Sequence, residues 1–433
     1  MPLVRLDHID RQAFARDVDA LRAEIDASLG PRDYAHLRRF VWAARLCTLL
    51  GYATAWLARV NPFSALLLGC GHFVRWAVVM HHVGHRGYDK VPGTPPRYSS
   101  RRFARGSRRF IDWLDWMPTE GWLHEHNSIH HARTNEDFDP DLVERNVDVI
   151  RSVRAPRVVK YLVIAFFACT WKLTYYMPNV VRSLQMAKAR RAGTPSPFDT
   201  NEGLRQFYDP WSAEGRTQWW RLLDPLRAQG REYWLHGVLP YGLFRFVLMP
   251  ALFLPLGRGA ALNVLLTSLL AEAFTNVQAF ATIVPNHAGD DLARFGTPAV
   301  DRAEFYVRQV SSSVNFTSPG AWSDFLQGGL NFQIEHHLWS DLPLSKYREY
   351  SGRVQAICER HGVPYRKEAL HRRIGKVMHV FLGSETQHIT SVQPVREPPL
   401  ELGRALSPEG EDSRSGQQQR TPNQRWAISD GTD

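Results

Sequence analysis

The sequence predicts an all-α integral membrane protein with four transmembrane helices in two hairpins and a cytosolic helical cap. Three observations lead there. Apolar stretches near the ~20 residues that a spanning helix needs occur in pairs separated by tight turns. Arginines crowd beside these stretches, the pattern of positive-inside loops. Half of the 18 histidines fall into three short clusters that the paired spans place on one side.

The chain has 433 residues, 44% of them hydrophobic, with 14 Trp and 22 Phe, enough to bury a large core. A mean hydropathy of -0.33 averages hydrophilic regions with the apolar stretches and so hides them. The net charge of +10 suits either nucleic acid or an anionic membrane surface. Arg38, Arg39 and Arg45, then Arg97, Arg101, Arg102, Arg105, Arg108 and Arg109, stand beside apolar stretches without a nucleic-acid motif. Membrane lipids are therefore the expected partner, and no nucleic acid. Cys47, Cys70, Cys169 and Cys358 lie far apart with no CxxC pair and read as buried thiols. The opening MPLVRLDHIDRQAF lacks a secretory pattern, so internal segments are expected to direct insertion.

Residues 1–37 read as an N-terminal amphipathic cytosolic segment. Phe14, Val18, Leu21 and Ile25 recur at helical spacing, and Gly30-Pro31 ends the pattern, as in a peripheral surface helix. Residues 38–392 form the membrane domain. Its first hairpin pairs 41–60 with 62–80 about Asn61-Pro62, where Arg45, Arg59 and Arg75 can snorkel to the interface. The second pairs 236–256 with 260–285 about Gly257-Arg258-Gly259. Residues 158–176 are also long enough to cross. Their flanks are basic on both sides (Arg151, Arg154, Arg157; Arg182, Lys188, Arg190, Arg191), which predicts an interfacial or re-entrant helix. Residues 393–433, rich in Pro, Ser, Gln and Arg, form a disordered polar tail.

The histidine clusters are HHVGH at 81–85, HEHNSIHH at 124–131 and QIEHH at 333–337. Residues four apart share a helix face, so His81 with His85, His126 with His130, and Gln333 with His336 and His337 point together. At about 100° per residue, His131 and His124 fall on an adjoining face of the second cluster, and two faces suit two metals. Without a metal, imidazoles this crowded would repel on protonation. His72, His236, His361, His371, His379 and His388, standing alone, read as structural.

If each hairpin returns the chain to its starting side, all three clusters converge; a crossing by 158–176 would strand the third. Imidazole suits zinc, copper, iron and nickel, but the candidates outnumber the four ligands of a closed zinc site. Two metals are expected. No HExxH occurs, against a zincin protease. Only Glu368-x-x-His371 has the ExxH spacing of a carboxylate di-iron bundle. A mostly histidine di-iron site fits best. Ligating imidazoles usually donate their second N–H to a carboxylate or carbonyl, and Glu125, Asp137, Asp139, Asp141, Asp290, Asp291 and Glu335 lie nearby in sequence.

HHVGH, HNSIHH and QIEHH, in that order and separated by apolar hairpins, resemble the three histidine boxes of the membrane fatty acyl desaturases. The resemblance covers roughly residues 40–350 and is specific as a trio. It implies His81 and His85, then His126, His130 and His131, then His336 and His337 as metal ligands. Asn286-His287, in VPNHAGDDLARF, resembles the family's additional ligand site and adds His287. His82, His124, Gln333, Asn286, Asp139 and Asp141 are further candidates as ligands or outer-shell partners. Gln333 in place of the first His of the third box is notable in front-end desaturases, many of which carry a fused haem domain with an HPGG motif. No His here is followed by Pro, so the implied electron donor is external: a ferredoxin-like protein, or a small haem carrier with its reductase.

The implied function is O2-dependent desaturation of an acyl lipid or acyl thioester at two Fe ions. A hydroxylase, ketolase or alkane monooxygenase on the same scaffold is one alternative. A non-catalytic metal-binding membrane protein is another.

Overall fold

The structure, a computed structural model, describes residues 5–194, 220–387 and 389–390. The predicted tail 393–433 and His388 lie outside the described residues. The chain is mostly helical, with one two-residue parallel strand pair, Asn315–Phe316 with Lys367–Glu368.

α1 (Arg11–Ala27) starts where the Asp10 side chain accepts the Ala13 N–H. Its stripe of Phe14, Val18, Leu21 and Ile25 is fully buried and belongs to the main core. The helix is thus built into the fold, not peripheral to it. α2 (Pro31–Ala55) has Pro at its first turn and Asp33 accepting the Gly30 N–H.

Among the described residues, four helices are long and apolar enough to cross a membrane: α3 (Pro62–Gly84), α5 (Arg157–Arg191), α6 (Ala228–Leu256) and α7 (Arg258–Asn286). α4 lies between the first two and comprises Thr119–Leu123, continued by the π-helical His124–His130. This set differs from the expected four spans at two places. Residues 41–55 of the expected stretch 41–60 fall in α2, which ends at Ala55, carries Arg38, Arg39 and Arg45, and is not among these four. Residues 158–176 are the first half of the 35-residue α5, which is one of them. Both ends of α5 meet the side that bears the histidines. Just ahead of it, Arg151 donates to the Val380 and Glu385 carbonyls. In its second half, Val180 and Leu184 press on Gly121 of α4.

α3 is held closely between α2 and α7 by small residues. A Cβ on Gly69 would lie 3.1 Å from the Phe274 Cβ, and one on Gly71 would lie 2.9 Å from the Ala44 carbonyl. Such close backbone approach is how helices associate where lipid removes the hydrophobic drive. α6 and α7 join at Gly257, whose φ of 107° suits only glycine without strain. Outward faces are apolar: Trp42, Leu46 and Leu49 on α2, Leu243, Val247 and Leu252 on α6, and Leu262 and Leu269 on α7 are all exposed. Apolar surface of this extent belongs in lipid.

Four helices complete the part that carries the histidines: α8 (Arg302–Ser311), α9 (Gln333–Leu338), α10 (Leu344–Arg360) and α11 (Leu370–Leu382).

Candidate metal centre

The ligand-bearing nitrogens of His81, His85, His126, His131 and His336 all lie within 4.8 Å of one another, and those of His130, His287 and His337 form a second such group. Every one of these side chains is buried. His126, His130 and Asp141 make a third, overlapping group. The donors come from α3, α4, α9 and the turn after α7, so four separated segments converge.

The residues fit metal ions on their own evidence. Both ring nitrogens of His85 and Nε2 of His336 are buried without a hydrogen-bond partner. His126 Nε2 stands 2.9 Å from His81 Nε2 and 3.3 Å from His131 Nε2. Buried polar atoms are rarely left unmatched, and converging imidazole lone pairs are what a first-row transition metal takes. Burial pushes the pKa of His131, His336 and His337 well below the ordinary value and that of His287 to about 3. The rings therefore stay neutral, the form that binds metal.

Helix type decides how the second cluster divides. An α-helix would pair His126 with His130, as expected from the sequence. The structure has a π-helix, in which the His131 N–H bonds the His126 carbonyl five residues back at 3.1 Å. His126 and His131 thus share the first group, and His130 turns to the second. In the third cluster Gln333, His336 and His337 do not all point together. His336 joins the first group; His337 and Gln333 face the second, with the Gln333 amide nitrogen 3.0 Å from both His287 Nε2 and His337 Nε2. Asn286 donates to Gln333 Oε1 at 3.2 Å.

A cavity of about 580 Å³ reaches these groups. His81, His126, His130 and His287 form part of its wall; the rest is mostly apolar, including Trp76, Trp122, Trp171, Phe280, Ile283 and Phe381. Its size and lining suit a small apolar ligand.

The family model for fatty acid desaturase matches residues 54–369. The chain belongs to this family. It is similar to a Mycobacterium tuberculosis protein named NADPH-dependent stearoyl-CoA 9-desaturase, at 26% identity over 388 residues, covering 86% of this chain and 79% of that protein. A Euglena gracilis Delta(8)-fatty-acid desaturase is 32% identical over 137 residues, 32% of this chain and 30% of the relative. No solved structure matches this desaturase.

Around the desaturase's rings, one carboxylate makes close contact. Asp139 Oδ1 lies 2.8 Å from His130 Nδ1, and its two oxygens also accept the Asn135 and Asp141 N–H groups. Burial opposes a charge on His130, but Asp139 outweighs it and raises the pKa. Asp141 stands 3.9 Å from the same nitrogen. The other acids are engaged elsewhere: Asp137 with Arg294, Asp291 with Arg373 and Lys376, Glu335 with Asn315 and Tyr365. Glu125 is buried with both oxygens unmatched.

Three partners come from places the sequence did not mark. Gln309 Oε1 and Thr134 Oγ1 lie 2.9 Å and 3.0 Å from His337 Nδ1, and the Tyr347 hydroxyl lies 3.4 Å from His336 Nδ1. His82 is buried against the rings of His81 and His336, and His124 is half-buried; neither joins a metal-holding group.

Two outcomes follow from this contrast. Asp139→Asn should cut activity by about 10–100-fold, because it loosens the orientation of His130. His124→Ala should keep its bound metal, whereas His130→Ala should not. Product formation checks the first and metal analysis of the purified variants the second, with protein levels matched. Equal metal loss at His124 and His130 would contradict the grouping.

Proposed function

We propose that this desaturase uses O2 to introduce a double bond into an acyl chain at two iron ions. His81, His85, His126, His131 and His336 would hold one ion, and His130, His287 and His337 the other, with Gln333 and Asn286 behind the second. The observation that carries this reading is the opening of both histidine groups onto one apolar cavity. When bound, the iron supplies the oxygen activation that removes one hydrogen from each of two adjacent methylenes. Overall, O2 would take up four electrons and four protons, two of each with the substrate's two hydrogens and two of each from a donor and solvent, and would leave as two waters.

The chain's own task is to aim an unreactive methylene pair and to keep bulk water away. Trp76, Trp122 and Phe280 shape the cavity beside the ligands. Asp139 holds the second nitrogen of His130, and Gln309 and Thr134 that of His337, so each ring keeps its ligating nitrogen turned inward.

The reading places the histidine groups on the cytosolic side, with α2 and α3 as one hairpin, α6 and α7 as another, and α8 to α11 in the cap. α5 lies at the interface; its two ends meeting the histidine-bearing side support this. The name of the mycobacterial relative supports an acyl thioester substrate and electrons originating from NADPH. Turnover should need an added ferredoxin-like or haem-carrying donor, and turnover with NAD(P)H and this chain alone would contradict that.

The test is product analysis. Expressed in a host with a simple lipid profile, the protein should yield fatty acids lacking two hydrogens. Hydroxylated products alone would replace desaturation with oxygen insertion.

A further inference from the structure

Two π-turns shape the wall of the cavity. In α3 the His81 N–H bonds the Trp76 carbonyl five residues back. An α-helix would set these two residues about 140° apart; here both face the cavity. In α5 the Met177 N–H bonds the Lys172 carbonyl in the same way. Trp171, Thr174, Tyr175 and Tyr176 around that turn line the cavity, whereas the fully buried Lys172 side chain is drawn to Asp115, outside the lining.

Lys172 backs Trp76 directly. Its ammonium lies over the Trp76 ring, 5.6 Å from the centre, and is fixed by Asp115 at 2.7 Å and Glu272 at 3.7 Å. Asn276 Oδ1 accepts the Lys172 N–H at 2.7 Å, which anchors the turn itself. Trp76 also meets the Tyr176 ring at 5.5 Å and the Trp171 ring at 6.3 Å, centre to centre. A cation over an indole face attracts most when both are desolvated, and ionisable groups in spanning helices are costly and mark function. Next to Trp76, the Ala77 carbonyl stands 3.1 Å from His81 Nδ1, so the indole and a candidate ligand share one turn of helix.

We propose that Trp76, seated by Lys172, decides which pair of methylenes lies at the metals, and therefore where the double bond forms. Trp76 meets the chain; Lys172 is a positioning residue that acts through it. This rests on the reading of the cavity as an acyl site and goes further in naming what sets the register. One methylene carries no polar group to distinguish it from the next, so its register against the metals comes from the shape of the wall. A misplacement of about 1 Å is enough to change the outcome of a reaction, which is why a wall residue here is held by a buried charge cluster.

The test compares the full-length protein with two variants. Trp76→Leu leaves every charge in place; Lys172→Met with Asp115→Asn removes the cation together with one counter-charge. Expressed in a host with a simple lipid profile, the parent should give one main double-bond position and both variants a mixture that includes neighbouring positions, at unchanged iron content. A loss of stability alone would lower the yield without moving the double bond. A second measurement needs no turnover: saturated acyl-CoA probes, each with a diazirine at a different carbon, are photolysed on the unreduced protein, and adducts are counted on Trp122, which stacks on His126 at 4.5 Å. One carbon should dominate in the parent, and its neighbours should gain in both variants. A dominant carbon without any desaturation would count against the reaction and not against the register. No dominant carbon in the parent, or the same carbon and the same double bond in both variants, would overturn the proposal. A shift with Trp76→Leu alone would overturn the part given to Lys172. Because Trp76→Leu disturbs no charge, it carries the test even where the paired variant fails to fold.

Discussion

His336→Ala and His337→Ala, at adjacent positions, are expected to abolish desaturation while emptying different metal positions. His336 belongs with His81, His85, His126 and His131, whereas His337 belongs with His130 and His287. Removing the first leaves four imidazoles in its group. Removing the second leaves two, beside Gln333, which lies 3.0 Å from His287 Nε2. The His337 variant should therefore lose its ion more completely, and each variant should retain the ion of the other group. Inactivity follows in both because the proposed chemistry needs the pair. Iron analysis and product formation on matched samples check this. Loss of all iron in both variants would mean that the two groups act as one.

Glu272→Ala is expected to destabilise the membrane part strongly. Glu272 accepts from Trp116 at 2.7 Å and Tyr241 at 2.6 Å, and its carboxylate lies 3.7 Å from the Lys172 ammonium. Lys172 is fully buried and pairs with Asp115 at 2.7 Å. One substitution would take this acceptor from three donors, Trp116, Tyr241 and Asn276, and leave the lysine with a single counter-charge. Breaking a buried pair of this kind costs about 3–5 kcal/mol. Glu272→Gln keeps acceptor atoms and should lose less. Thermal unfolding in detergent would separate the variants, and equal midpoints for Glu272→Ala and the parent would refute the stabilising role.

Which histidines gather in the fold was legible because histidines carry their chemistry in their identity and spacing. Their division between two groups was not, since a period of 3.6 residues was assumed where the chain forms a π-turn between His124 and His130. The long apolar helices around 62–80, 236–256 and 260–285 were read close to their observed bounds from apolar length. Two helices have other bounds than the apolar lengths suggested: α2 starts ten residues before 41 and ends at Ala55, and α5 runs on past 176 to Arg191. Gln309, Thr134 and Tyr347 reach the rings only through folding. Lys172 did leave a trace, as a lone cation in an apolar run, but its partners Asp115 and Glu272 lie 57 and 100 residues away in sequence.

The central claim is that these histidines hold two irons that perform the oxidation. Its most direct test is to measure iron, zinc and protein on one purified sample whose desaturation activity has been recorded. About two irons per chain, with activity that rises and falls with iron content, is the predicted result. Full activity with a single iron, or with zinc alone, would contradict it.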